Sequence, residues 1–123
     1  MSAPENFVDK ELSLELTESG AEVRLVWRGK SNEREPGRFL MPVLRAAFGR
    51  SQAGKKPLAL DFTSLEYMNS STFAPLVKLL DEASRDGGRV QLEFSHGRRW
   101  QALSFSALRA FETPDGRIKL LGR

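Results

Sequence analysis

The sequence switches repeatedly between two hydrophobic spacings, and the order of these switches constrains the fold more than any other feature. In one kind of segment every second residue is apolar, as in Leu12, Leu14 and Leu16, which is the period of a half-buried strand. In the other kind, apolar residues recur every three to four positions, which is typical of a helix packed on one side. Strand-like segments lie at about residues 12–17, 23–28, 58–62, 90–94 and 117–121, and helix-like segments at about 38–50, 71–85 and 100–111.

The resulting order, ββαβαβαβ, predicts an α/β fold with a mostly parallel sheet and an antiparallel N-terminal hairpin. A sheet covered on both faces has continuously apolar strands, whereas Glu15, Arg24, Gln91 and Glu93 interrupt these strands at every second position. We therefore expect all three helices on one face of the sheet, with the other face wet. The chain is expected to form a single domain over residues 1–123, with its core at about 11–121.

Composition excludes several classes of protein. Among 123 residues there is no cysteine, 40% are hydrophobic, and the net charge is +3. No apolar segment approaches the roughly twenty residues of a membrane span, and the N-terminus does not resemble a secretory signal. The basic residues between Arg24 and Lys56 are spread over a strand, loops and a helix surface. We therefore expect a cytoplasmic protein that contacts neither membrane nor nucleic acid.

Little in the sequence indicates catalysis. His96 is the only histidine, and it lies in a Ser-His-Gly-Arg-Arg turn, which is typical of an exposed loop. Asp61 and Glu66 are close in sequence but lack the signature of a cleft, so they make a poor acid–base pair. The glycine pair Gly87-Gly88 follows a helix rather than a strand, unlike a phosphate-binding loop. We expect no enzyme, no metal site and no cofactor.

The segment Asn69-Ser70-Ser71-Thr72 joins a strand-like run to a helix-like run and is unusually polar. One interpretation is a helix cap, because Ser and Thr accept hydrogen bonds from the free N–H groups of a first turn. Pro75 would clash with the carbonyl of Ser71 inside a helix, so the helix should begin at Ser71 or Thr72, and one of these two should be the cap. Ser70 then remains outside the helix, where a phosphate would face unpaired N–H groups. The residues alone leave capping and modification open.

The stretch LALDFTSLEYMNSSTFAPLVKLLDEA, followed by GGRVQLEF, resembles the STAS domain of anti-sigma factor antagonists. The later stretch WQALSFSALRAF is similar to small stand-alone bacterial STAS-like regulators. In this resemblance Ser70 matches the phosphorylated serine of the family, with Ser71 and Thr72 as the neighbouring hydroxyls. Asn69 stands where the family has aspartate, and Thr72 where it has glycine.

The resemblance implies a signal-transduction protein that works by partner switching, bound and phosphorylated by a GHKL-type serine kinase or anti-sigma factor and dephosphorylated by a PP2C-type phosphatase. Ser70 would be the phosphoacceptor, with Ser71 or Thr72 as substitutes. Two alternatives remain: a non-phosphorylated STAS interaction module in a larger signalling assembly, and a small-ligand-binding STAS-like domain. The expected flanking residues of the site are Asn69 and Asp61, and the expected partner-binding residues are Met68, Phe73, Lys78 and Asp81.

Overall fold

The computed structural model describes residues 3–123. It contains seven strands, three α-helices and two 3-10 turns within that range. The strands are β1 (Glu5–Asp9), β2 (Leu12–Glu18), β3 (Val23–Ser31), β4 (Leu58–Asp61), β5 (Leu65–Met68), β6 (Val90–Phe94) and β7 (Ile118–Gly122). The helices are α1 (Gly37–Gly54), α2 (Phe73–Asp86) and α3 (Arg99–Ser106), with 3-10 turns at Ser70–Thr72 and Ala107–Phe111.

The predicted α/β fold is confirmed. The strands form one sheet in the order β1-β2-β3-β4-β6-β7, antiparallel from β1 to β3 and parallel from β3 onward. Strands β1 and β5 were not predicted. In β1 no residue is fully buried, so its alternation carries little hydrophobic signal. In β5 only the two end residues are buried, so the period of two is missing.

The three helices lie on one face of the sheet, as the polar alternation predicted. Leu25, Leu60, Leu92 and Leu120 stand side by side on β3, β4, β6 and β7, and all four belong to the single hydrophobic cluster that the helices complete. The neighbouring row, on the opposite face, contains the polar residues Arg24, Gln91 and Lys119, with the small residue Ala59 between Arg24 and Gln91.

Strand β3 is shared by two partners, and this arrangement positions the junction before α2. Its first half pairs with β4, and its second half pairs with β5. The register shifts between Gly29 and Lys30, where Gly29 has a φ of +85° and a Cβ would lie 1.9 Å from the carbonyl oxygen of Glu11. Only glycine fits there. The shift lets β5 end beside Ser31, whose carbonyl accepts a hydrogen bond from the Asn69 N–H at 2.9 Å.

Candidate functional site

Helix α2 is anchored by one apolar stripe. Leu76, Leu79, Leu80 and Ala83 are fully buried on it, and Pro75 is buried in its first turn, where the missing N–H costs nothing. The helix ends at Gly87, which adopts the left-handed conformation that glycine allows. Because the stripe fixes the helix against the sheet, the position of its first residues is also fixed.

Asn69 caps the start of this segment. Its Oδ1 accepts hydrogen bonds from the N–H of Thr72 at 3.2 Å and from the Thr72 hydroxyl at 2.8 Å. Its Nδ2 donates to the carbonyl of Glu33, in the loop after β3, at 2.8 Å. The prediction that Ser71 or Thr72 is the cap is therefore wrong. Neither Ser71 nor Thr72 is needed as a cap, because both belong to a 3-10 turn that precedes α2, and Asn69 caps that turn.

Thr72 points into the protein. Its side chain is fully buried, and its hydroxyl lies 2.7 Å from the hydroxyl of Ser31. We call Ser31, Asn69, Thr72 and the Glu33 carbonyl the junction cluster. This arrangement corrects the assignment of Thr72 as a substitute phosphoacceptor, since its hydroxyl is enclosed and bonded on two sides.

The two serines of the junction are exposed. Ser70 and Ser71 form the solvent side of the 3-10 turn whose inner side is Thr72. Their exposure follows from the three-residue turn, since only one of three consecutive side chains can face the core. The structure therefore offers two accessible hydroxyls on a rigidly held segment.

Ser71 also lines a groove between the first residues of α1 and those of α2. We call this the α1–α2 groove, and its volume is about 410 Å³. The groove is apolar at Pro36, Met41, Ala74 and Pro75 and polar at Arg34, Glu35, Ser71 and Lys78, with Gly37 completing it.

The predicted partner-binding residues separate into two groups. Lys78 and Asp81 are exposed on α2, where Asp81 pairs with Arg85. Phe73 is half-buried, with its ring centroid 6.3 Å from that of Phe105. Met68 is only 6% exposed and belongs to the core, which corrects its assignment as a partner contact.

Asp61 does not flank the junction. It lies on the helix-free face, where Oδ2 accepts from Arg24 at 3.0 Å and Oδ1 accepts from Thr63. Arg24 also binds Glu93 through both carboxylate oxygens, at 3.1 and 2.8 Å, and Arg123 lies 3.4 Å from the same carboxylate. We call Arg24, Glu22, Asp61, Glu93 and Arg123 the Arg24 cluster. Its carboxylates, Glu93 foremost, raise the pKa of the Arg24 guanidinium, so this residue stays charged.

Two residues near the junction in sequence or in space were not predicted from the sequence. Tyr67 is 47% exposed, three residues before Ser70, and was not placed because β5 was not recognised. Arg34 lines the α1–α2 groove from the loop between β3 and α1. The preceding residue, Glu33, is held by the hydrogen bond from Asn69, a contact across 36 residues of sequence that no local pattern contains.

Within residues 3–123, no three His, Asp or Glu side chains come together as a metal site. No helix in this range is long and apolar enough to cross a membrane. The junction thus presents two exposed hydroxyls and, beside Ser71, a partly apolar groove.

Comparison with known structures agrees with this topology. A crystal structure of an anti-sigma factor antagonist from Mycobacterium paratuberculosis superposes with a TM-score of 0.63 at 11% identity, over 90% of this chain and 94% of the other. A chain in the complex of the diguanylate cyclase SiaD with its activator SiaC, from Pseudomonas aeruginosa, superposes with a TM-score of 0.62 at 22% identity, over 97% of this chain and 99% of the other. The chain has a STAS-like fold.

A third match agrees with the STAS-like assignment. A protein of the DUF3478 family with a SpoIIAA-like fold, from Shewanella loihica, superposes with a TM-score of 0.52 at 20% identity, over 98% of this chain and 90% of the other. No protein-family model and no curated protein sequence matches this STAS-like chain. The similarity therefore lies in the fold, and the function has to be argued from the site.

Proposed function

We propose that this STAS-like chain is a regulatory binding protein whose junction surface binds a partner protein and releases it when a junction serine is phosphorylated. The observation that carries the proposal is the exposure of Ser70 and Ser71 on a turn held from inside by Asn69 and Thr72. A modified residue must be accessible, and the segment that carries it must keep its shape for the partner. The junction meets both requirements.

Ser70 is the first proposed phosphoacceptor, and Ser71 is the second. A serine kinase of the GHKL class, which would also be the binding partner or anti-sigma factor, supplies ATP as the phosphoryl donor. The serine Oγ forms a bond to the γ-phosphorus, the bond from that phosphorus to the β,γ-bridging oxygen breaks, ADP leaves, and the hydroxyl proton passes to solvent. A PP2C-type phosphatase reverses the state by hydrolysing the phosphoserine.

The electrostatic effect of this modification is large on a small surface. Phosphoserine carries a charge of about −1.5 to −2 at neutral pH and three acceptor oxygens. The apolar part of the α1–α2 groove lies beside Ser71, one of the two serines. A partner that buries these apolar groups would have to bury the phosphate with them, and burying an unpaired charge is costly.

A second candidate differs in the class of partner. The match to the complex of a cyclase with its activator has 22% identity, against 11% for the anti-sigma factor antagonist. In this case the junction surface would bind and activate an enzyme, and phosphorylation would control that activation. Both candidates use the same surface and the same serines.

The test combines phosphosite mapping with affinity measurements. Purified protein is incubated with ATP and each GHKL-type serine kinase of the host genome, and the modified residue is located by mass spectrometry. The affinity of each kinase for wild type, Ser70→Ala, Ser70→Asp and Ser71→Asp is then measured. We expect one phosphoryl group on Ser70 or Ser71, and weaker binding by the aspartate variant at that position. If neither serine is modified and both aspartate variants bind like wild type, the proposal fails.

A further inference from the structure

We propose that the α1–α2 groove is an internal receptor for a phosphate on Ser71, which Arg34 and Lys78 bind from its two sides. The inference rests on the proposed function in that it names how the phosphorylated state is held. It follows from three residues that line one groove: Ser71 from the turn before α2, Arg34 from the loop after β3, and Lys78 from α2.

Arg34 is available to an anion because its neighbouring carboxylates are already engaged. Glu33 pairs with Lys10 at 2.8 Å, and Glu35 pairs with Arg38 at 2.9 Å. Arg34 forms no salt bridge within residues 3–123 and is exposed at the rim of the groove. A guanidinium can bind two phosphate oxygens at once, which makes arginine the preferred residue for phosphate recognition.

Lys78 is available for the same reason. The carboxylates one turn further along α2 have other partners: Asp81 pairs with Arg85, and Glu82 pairs with Arg45 of α1 at 3.2 Å. Within the described chain, Lys78 also forms no salt bridge, although it lines the groove beside Ser71. Two cationic residues without carboxylate partners in the described chain thus line the same groove as Ser71, and Glu35 is the only acidic residue in its lining.

The two exposed serines differ in this respect. Ser71 lines the groove, whereas Ser70 precedes it on the turn and is not one of its lining residues. A phosphate on Ser71 that binds both cations would connect the loop after β3 to α2 and occupy part of the groove between them. Release of a partner from the groove would then follow from occupancy of this part as well as from charge.

The experiment installs the phosphate chemically, so that it does not depend on any kinase. Phosphoserine is incorporated at position 71 or, as the matched control, at position 70, and the phosphorus resonance is titrated by NMR. Free phosphoserine loses its second proton near pH 6. We expect the pKa of the phosphate at position 71 to be about one unit lower, because nearby cations favour the dianion, and the pKa at position 70 to stay near that of the free amino acid.

Substitution of the receptor completes the test. The double variant Arg34→Gln, Lys78→Gln should return the pKa of the phosphate at position 71 to the value at position 70, while Arg45→Gln, a cation of α1 outside the groove, should not change it. Circular dichroism checks that the exposed substitutions leave the fold intact. Equal pKa values at the two positions, or a lowered value that persists in the double variant, would overturn the receptor. Neither result would decide whether a kinase modifies the junction, which phosphosite mapping tests separately.

Discussion

The junction cluster and the Arg24 cluster are both polar networks of this chain, and they differ in charge and in what lies beside them. The junction cluster is neutral: an amide, two hydroxyls and a carbonyl satisfy one another, and two exposed serines stand next to them. The Arg24 cluster is ionic, and its carboxylates are each bound by a cation. The two serines next to the junction cluster remain exposed to solvent, whereas the charged groups of the Arg24 cluster bind one another.

The difference indicates which network serves stability and which can serve regulation. Glu93 is 5% exposed although no helix covers its face of the sheet, because Arg24 and Arg123 lie over it. A carboxylate so enclosed requires its cations in every state of the folded protein. The junction cluster, in contrast, holds a turn whose outer side chains are free to change without loss of any buried contact.

The largest expected effect on stability comes from the Arg24 cluster. Arg24→Ala removes the cation that binds Asp61 and both oxygens of Glu93, so the free energy of unfolding should fall by about 3 kcal/mol or more, as when one partner of a buried ion pair is removed. Chemical denaturation at neutral pH measures this.

Arg45→Ala is the matched control, because Arg45 of α1 forms an ion pair at the protein surface with Glu82 of α2. Its cost should be no more than about 0.5–1 kcal/mol, as for exposed pairs. Equal losses for Arg24→Ala and Arg45→Ala would mean that the Arg24 cluster is no more than a surface ion pair.

The second-largest expected effect concerns Asn69, and two variants distinguish its hydrogen bond with Thr72 from its hydrogen bond to Glu33. Asn69→Ala removes the cap and the tie to Glu33 and should cost about 2 kcal/mol. Asn69→Asp keeps an acceptor for Thr72 but cannot donate to the Glu33 carbonyl, so it should cost about half as much. If the aspartate variant is as stable as wild type, the amide does not tie the junction to the loop after β3. Both variants are compared by urea denaturation.

How much of this was accessible from the sequence depends on the sequence distance between the groups. The fold followed from alternating runs such as Leu12–Leu16, because strand and helix periods are local properties. The need for a cap was also local, but Ser71 and Thr72 were the expected caps. Asn69 is the cap because the Thr72 hydroxyl points inward to Ser31, which lies 41 residues away in sequence.

The Arg24 cluster also shows that a local sequence pattern does not predict contacts between distant residues. Arg24 and Glu93 were correctly predicted to point away from the helices, yet their pairing spans 69 residues. Alternation predicts which face a side chain takes, but not which neighbour it meets there, because the order of strands in the sheet decides that. The exposure of Glu93 was therefore overestimated.

A third polar site tests whether charge is what distinguishes the two networks. Hydrogen bonds from Thr113 and Arg117 lower the pKa of Asp115 from 3.8 to about 2. Because the folded state binds this proton less readily than the unfolded state, Asp115 contributes stability above about pH 4, and this contribution is lost as the pH falls towards 2.

Urea denaturation between pH 5 and 2 should show a smaller acid-induced loss for Asp115→Asn than for wild type. The difference between Asn69→Ala and wild type should stay constant over this range, because Asn69 and Thr72 do not titrate. A pH-dependent difference at position 69 would contradict the neutral character of the junction cluster.

The smallest expected effect concerns the exposed serines themselves. Since Asn69 caps the turn and Thr72 fills its inner side, Ser70→Ala and Ser71→Ala remove no hydrogen bond of the junction cluster and should each change stability by less than about 0.5 kcal/mol. The sequence predicted Ser71 or Thr72 as the cap, and loss of a capping hydroxyl would cost about 0.5–2 kcal/mol, so this measurement also tests whether Ser71 is the cap. A loss above about 1 kcal/mol for Ser71→Ala would show that its hydroxyl supports the helix start. Ser71 would then be a structural residue like Thr72, and Ser70 would be the one proposed phosphoacceptor left in the junction.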